Sequence, residues 1–120
     1  MRIQEVSKQT GLSGYTIRYY EKAGLIGDVP RDSAGHRFFR EQDVKWIHFV
    51  NCLKTTGMPL KEIKAYAAKV GDAQNQGDFL LSIMQKHKKR LEQQLLQTQD
   101  FLAHIDWKIT HYQSLIDETK

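Results

Sequence analysis

The spacing of apolar and polar residues predicts a chain built almost entirely of helices. Residues 4–10 are predicted to form a short first helix that ends at Gly11. Ser13 is a favourable N-cap for a second helix over residues 14–23, and Gly24 follows, where a left-handed residue commonly ends a helix. Two short helices joined by a tight turn have the dimensions of a helix-turn-helix, although a generic helical hairpin fits the same pattern.

The second predicted helix carries two kinds of surface. Ile17 and Tyr20 lie three residues apart and are expected to face the core. Another stripe combines two tyrosines with two cations, which suits a helix that reads a DNA groove, because arginine bonds guanine or phosphate and tyrosine hydroxyls bond phosphate oxygens. An amphipathic surface helix with its tyrosines packed on a neighbour is the alternative. The candidate DNA contacts of this helix are Tyr15, Thr16, Arg18, Tyr19 and Lys22.

Residues 28–40, directly after the second helix, have no helical period. Pro30 cannot lie inside a helix, and the residues that follow it favour a turn. Val29 and Phe38-Phe39 are predicted to form the two arms of a small β wing, and both phenylalanines are expected to anchor it because an isolated hairpin is only marginally stable. The candidate DNA contacts of this wing are Arg31, His36 and Arg37.

The rest of the chain is predicted to be helical. Residues 41–56 form a third helix, and a fourth opens at Pro59. The polar, glycine-containing segment 71–77 is predicted to be a linker. Residues 78–118 contain neither proline nor glycine and are predicted to form one long helix. The expected fold is therefore all-α with a small β wing: a winged helix-turn-helix DNA-binding domain over residues 1–70, followed by a dimerisation helix.

The long predicted helix carries the pattern of a coiled coil. Apolar residues recur at alternating spacings of four and three over more than three heptads, and Thr98 is the one polar member. A helix of roughly 60 Å, at 1.5 Å per residue, is too long to fold back over a 70-residue domain, so pairing with a second copy is predicted. The seam consists of Leu91, Leu95, Thr98, Leu102, Ile105, Ile109, Tyr112 and Ile116.

Composition and charge narrow the class of protein. Apolar residues make up 40% and charged residues 27%, as in a soluble folded chain. The net charge of +4 arises mainly from residues 1–56, which hold nine basic and six acidic side chains. The single cysteine excludes a disulfide framework and a Cys-rich zinc or iron–sulfur site. Without a membrane span or an apolar signal core, the protein is expected to be cytoplasmic, with no membrane partner.

Several motifs together resemble the bacterial MerR family of transcription regulators. They are Ile-Arg-Tyr-Tyr-Glu at 17–21, Gly-Leu-Ile at 24–26, the Gly-His-Arg wing at 35–37 and Gly-Met-Pro-Leu-Lys-Glu-Ile at 57–63. The resemblance spans residues 1 to about 70. It implies a winged helix-turn-helix and an antiparallel coiled-coil homodimer. Such a dimer binds a pseudo-palindrome in double-stranded promoter DNA and distorts an over-long spacer so that RNA polymerase engages both promoter elements.

The resemblance also implies roles for single residues. Arg18 and Tyr19 would contact bases and phosphates from the major groove, and Arg37, with His36 beside it, would hold the flanking backbone. The sequence departs from the family at four positions. Phenylalanines stand where a polar residue and a tyrosine are usual, and two helices lack their capping serine. The departures are Phe38, Phe39, Arg40 and Pro59.

Cys52, the chain's one thiol, is the candidate effector sensor. It falls off the apolar side of the third helix, stacked with His48 and Lys45, whose positive charge would favour the thiolate. By resemblance it matches the single cysteine of a family branch that responds to aldehydes and nitrosothiols. Inert packing of Cys52 and a noncovalent ligand are the alternatives. A metal site built on His48 and Cys52 would be incomplete.

Other effectors and other classes of protein fit less well. Residues 53–120 contain no cysteine, which excludes the soft-metal thiolate sites of the family's metal sensors. At 120 residues, the chain is not expected to carry the ligand domain of the family's multidrug sensors. No acid–base or nucleophile motif indicates an enzyme, and no cofactor is expected. A coiled-coil adaptor that does not bind DNA would explain the long helix but not the tyrosine and arginine stripe.

Overall fold

The protein is described by a computed structural model, which covers residues 1–27 and 29–120. Within these residues the elements are α-helices joined by short turns, and the extended structure is one antiparallel bridge between Arg31 and Arg37. This confirms the prediction of an all-α fold with a small wing. The helices are α1 (Ile3–Thr10), α2 (Gly14–Lys22), α3 (Glu41–Thr55), α4 (Leu60–Lys69) and α5 (Ala73–Glu118), with a 3-10 helix at Val70–Asp72. The chain divides into two compact units, Met1–Ile83 and Met84–Lys120.

The turn between α1 and α2 is built as its sequence predicts. Gly11 ends α1 with a left-handed φ of 75°, and its N–H bonds the carbonyl oxygen of Ser7. Such a φ costs a residue with a Cβ, which explains the glycine. Ser13 then caps α2 by accepting the N–H of Thr16 at 3.1 Å. The two caps fix the tight turn that lays α2 against α1.

The core of the first unit lies where α1, α2, α3 and α4 meet. Its largest fully buried side chains are Tyr20, Phe39, Ile17 and Leu25. Trp46 of α3 ties this core to the segment after α2, because its indole N–H donates to the Leu25 carbonyl oxygen at 2.8 Å. The core therefore packs against the inner side of α2 and leaves the outer side of α2 exposed to solvent.

The wing is anchored by one phenylalanine rather than two. Phe39 is buried, and its backbone exchanges hydrogen bonds with Met1: the Phe39 N–H donates at 2.6 Å and the Met1 ammonium donates back at 2.7 Å. Phe38 is 49% exposed, so the expectation that it also anchors the wing is wrong. Neighbouring side chains of an extended segment point to opposite sides, so burying one exposes the other.

Arg40 and Asp43 form the N-terminal cap of α3, where the resemblance led us to expect a serine. The Asp43 carboxylate accepts the backbone N–H of Arg40 at 2.8 Å and two bonds from its guanidinium at 2.9 and 3.0 Å. Burial opposes ionisation of Asp43, but these bonds outweigh it and hold the pKa of Asp43 below its usual value. An acidic group at the first turn also interacts favourably with the helix dipole. The start of α3 is thus capped without a serine.

The last helix begins earlier than predicted. The segment 71–77 was expected to be a linker, with the helix starting at residue 78, but α5 begins at Ala73 directly after the 3-10 helix. Asn75 donates to the Asp72 carboxylate at 2.9 Å across this junction. One glycine inside a helix costs only about 1 kcal/mol, so Gly77 does not interrupt a helix this long. The functional division into a domain over 1–70 and a dimerisation helix over 78–118 stays a prediction.

The second unit presents its apolar side chains to solvent in the single chain. Every residue from 92 to 120 is exposed, including Leu95, Leu102 and Ile109 at 56–60%. A helix that places leucines and isoleucines in water at seam spacing leaves a large apolar area uncovered. None of the described helices, α5 included, combines the length and the apolarity that crossing a membrane requires.

Candidate nucleic-acid interface

The outer face of α2 carries the predicted stripe of tyrosines and cations. Tyr15 and Tyr19 are 77% and 42% exposed, and Arg18 and Lys22 are exposed between them. These four side chains line one shallow depression. Arg18 makes no hydrogen bond or ion pair with any described residue. The buried Ile17 and Tyr20 lie on the other side of α2, as predicted.

Two other residues, Thr16 and Lys54, also affect the chemistry of this face. Thr16 was predicted to contact DNA, but its N–H and hydroxyl group both bond the hydroxyl of Ser13, 3.1 and 2.9 Å away. Its polar groups are thus engaged in the N-cap of α2. Lys54, at the end of α3, was not singled out from the sequence. Its ammonium lies 5.7 Å from the ring centre of Tyr19 and 5.3 Å from that of Tyr20, which adds a cation behind the tyrosines.

The wing holds its basic side chains in defined contacts. Arg31 donates from its guanidinium to the Gly35 carbonyl oxygen at 2.9 Å. Arg37 is drawn back toward α2, because its Nε–H donates to the Glu21 carboxylate at 2.8 Å. The other four guanidinium N–H groups of Arg37 are outside this bond. Arg37 therefore joins the wing to α2 and still presents donors.

A single carboxylate organises the wing turn. Asp32 accepts the backbone N–H groups of His36 at 3.0 Å and Ala34 at 2.9 Å. These bonds, with the nearby charges of Arg2 and His36, hold the pKa of Asp32 below its usual range. The turn itself passes through Gly35, whose φ of 82° is left-handed. Asp32 stays ionised across the neutral range and faces the cations around it.

The start of α1, α2 and the wing enclose an open cleft of about 280 Å³, the basic cleft. It brings together four of the predicted DNA contacts and adds Arg2 and Gln4, which sequence reasoning missed. Arg2 and Asp32 of the wing are thirty residues apart in the sequence, so no local pattern predicts that they meet. The lining residues are Arg2, Ile3, Gln4, Arg18, Arg31, Gly35, His36 and Arg37. Four guanidinium groups around one cleft are suited to an anion such as a phosphate.

The candidate sensor residues lie on α3, away from the side that packs into the core. Cys52, His48 and Lys45 are all exposed, which places the thiol within reach of small molecules. Neither His48 nor Lys45 forms a hydrogen bond or ion pair with Cys52 in the described structure. That these two groups favour the thiolate stays a prediction. Across the described residues, no group of three histidine, cysteine or acidic side chains is placed to hold a metal ion.

Comparison with known proteins assigns residues 1–70 to a family. The profile of the MerR HTH family regulatory proteins matches residues 1–70, more than half of the chain. The chain belongs to the MerR family. The resemblance noted in its motifs is thereby confirmed, and the MerR family is one of transcriptional regulators rather than enzymes.

Relatives and solved structures are similar to this MerR-family protein over most of its length, beyond the residues that the profile matches. An uncharacterised HTH-type transcriptional regulator of Haemophilus influenzae is 33% identical over 109 residues, 91% of this chain and 81% of that protein. The regulator AdhR of Bacillus subtilis is 34% identical over 76% of this chain and 65% of its own length. HiNmlR, a MerR family regulator lacking the sensor domain and crystallised on promoter DNA, is 32% identical with a TM-score of 0.88, over 94% of this chain and 86% of HiNmlR.

Proposed function

We propose that this MerR-family protein is a homodimeric, sequence-specific regulator that binds a pseudo-palindromic promoter site and distorts its spacer to activate transcription. A reactive electrophile at Cys52 would switch it. The observation that carries the proposal is the free outer face of α2 beside the basic cleft. That HiNmlR was crystallised on promoter DNA supports it.

The DNA-binding part rests on the division of labour between α2 and the wing. A helix enters the major groove, which is about 12 Å wide, and there reaches base edges. Arg18 and Tyr15 lie on the exposed face of α2 and are proposed to contact bases or phosphates, with Tyr19 and Lys22 beside them. The wing cations would hold the flanking backbone. Phosphate contacts fix the register, and base contacts give sequence preference.

The homodimer rests on the exposed seam of α5. An antiparallel pair centred between Leu102 and Ile105 would match every seam residue with another one. In this arrangement each pair combines two different seam residues, so Thr98 would face an isoleucine of the second copy instead of a second threonine. The matched pairs would be Leu102 with Ile105, Thr98 with Ile109, Leu95 with Tyr112 and Leu91 with Ile116. A two-fold dimer presents two copies of α2, as a pseudo-palindrome requires.

The switch rests on the exposed thiol of Cys52. Its sulfur would add to the carbonyl carbon of an aldehyde, with the S–H proton passing to the carbonyl oxygen, to give a hemithioacetal. The adduct would shift the energy balance between bent and unbent promoter complexes rather than abolish binding. Coupling between two sites is typically about 1–3 kcal/mol, enough to change transcription severalfold. A noncovalent ligand is the alternative, and a coiled-coil adaptor that does not bind DNA is a more distant one.

Transcription in vitro tests the proposal. Purified protein, RNA polymerase and the DNA upstream of its own gene are combined with and without formaldehyde. Activation that depends on protein and aldehyde is expected, and the Cys52→Ala protein should bind the same DNA without responding. Lys45→Gln, which changes the surface of α3 but keeps the thiol, should respond at higher aldehyde concentration. Full response of Cys52→Ala would refute the thiol switch, and no DNA binding by the wild type would refute the regulator.

A further inference from the structure

Arg2 lies in the basic cleft but is only loosely held there. One guanidinium nitrogen lies 3.4 Å from the Asp32 carboxylate, at the long end of a hydrogen bond, and the Arg2 side chain is 55% exposed. Exposed ion pairs of this kind contribute little to stability. Arg2 can therefore exchange this partner for another anion without disturbing the fold.

Asp32 does not depend on Arg2 for its place in the wing. The oxygen Oδ1 of Asp32 accepts the two backbone N–H groups of Ala34 and His36, whereas Arg2 touches the other oxygen, Oδ2. The wing turn is thus secured by one carboxylate oxygen. If Arg2 turned away, the carboxylate oxygen Oδ2 would lose its contact with Arg2, and Oδ1 would keep both of its backbone bonds.

The cleft also has more positive than negative charge. Among the residues that the structure describes, its four arginines are met by two carboxylates, since Asp32 contacts Arg2 and Glu21 contacts Arg37. Arg31 bonds a neutral carbonyl, and Arg18 bonds no described residue. Converging guanidinium groups attract a phosphate strongly, because a phosphate can accept two parallel bonds from a guanidinium.

We propose that the basic cleft binds one phosphate group of the DNA backbone, with Arg2 and Arg18 as ligands, and that Asp32 takes the place of this phosphate on Arg2 in the free protein. The proposal rests on the DNA binding proposed above. It adds the start of α1 to a contact surface otherwise made of α2 and the wing. It also makes Asp32 a competitor of DNA, in addition to its structural role.

Opposite effects of two substitutions test the exchange. The probe is a duplex that the wild-type protein has enriched from a random-sequence pool, and its affinity is measured by fluorescence anisotropy over a range of salt concentrations. Arg2→Gln should weaken binding about tenfold and reduce the slope of log affinity against log salt by about 1.8, because the dimer loses one phosphate contact, worth about 0.9, in each protomer. Asp32→Asn keeps the Oδ1 acceptor of the wing turn and should tighten binding, but not in the Arg2→Gln background.

Controls separate this proposal from its alternatives. Lys88→Gln removes the same charge from α5 and should leave the slope unchanged. If Asp32→Asn weakens binding as Arg2→Gln does, the pair only stabilises the wing and the exchange is wrong. An unchanged slope in Arg2→Gln removes the phosphate site while the DNA-binding proposal stands. A wild-type protein that enriches no duplex overturns both.

Discussion

The ion pair between Arg37 and Glu21 gives a prediction whose size follows from its geometry. The Nε–H of Arg37 donates to the Glu21 carboxylate at 2.8 Å, and the two side chains are 27% and 17% exposed. Hydrogen bonds to charged groups contribute about 1.5–3 kcal/mol, whereas exposed ion pairs contribute about 0–1 kcal/mol. This partly buried pair should contribute an amount between these two ranges. We expect a coupling free energy of about 1–2 kcal/mol.

A double-mutant cycle measures this coupling. Glu21→Gln, Arg37→Gln and the double variant are unfolded in urea, and the loss in the double variant should be about that of one single variant because the pair is already broken. The DNA salt slope then separates the two roles of Arg37. Arg37→Gln should lower the slope by about 1.8, because the dimer loses one phosphate contact in each protomer, and Glu21→Gln should not. Additive losses of stability in the double variant would refute the pairing. If Arg37→Gln and the wild type had equal salt slopes, Arg37 would only join the wing to α2 and would not contact a phosphate.

Three further predictions concern other parts of the chain. Ile105→Asp should convert the dimer to monomer in light scattering, because the seam would bury an unpaired charge, whereas Thr98→Leu should strengthen it. Asp43→Asn should cost about 1 kcal/mol in urea at neutral pH, as a lost helix cap does. Because the pKa of Asp43 is depressed in the folded state, its contribution is present above the usual 3.8 and is lost as pH falls below it, so variant and wild type should converge in acid. Trp46→Phe should cost about 1 kcal/mol by removing the N–H bonded to the Leu25 carbonyl, and equal urea midpoints would contradict that.

Local signals in the sequence were sufficient for the helices and for the outer face of α2. Ser13 and Gly11 act within a few residues of their positions, so the turn between α1 and α2 follows directly from them. The stripe on α2 depends only on helical spacing, and the structure places its tyrosines and cations on the surface as predicted. The wing position also followed from Pro30 and the glycine turn.

Contacts between distant parts of the chain could not be read in this way. Arg2 meets Asp32 only after the wing has folded against α1, and Arg37 meets Glu21 only when the wing lies beside α2. Phe38 is exposed because the core buries its neighbour Phe39, and the local sequence does not show which of the two is buried. The start of α5 at Ala73 was missed because Gly77 was weighed as a helix breaker, although a long helix tolerates one glycine.

The central claim is that two copies of this protein read a two-fold symmetric DNA site through α2. Selection of duplex DNA from a random-sequence pool by the wild-type protein, followed by sequencing, tests it most directly. We predict enrichment of an inverted repeat, and an affinity for it that is lower by about 1–3 kcal/mol in Arg18→Ala. Enrichment of no sequence, or of a site without two-fold symmetry, would contradict the claim.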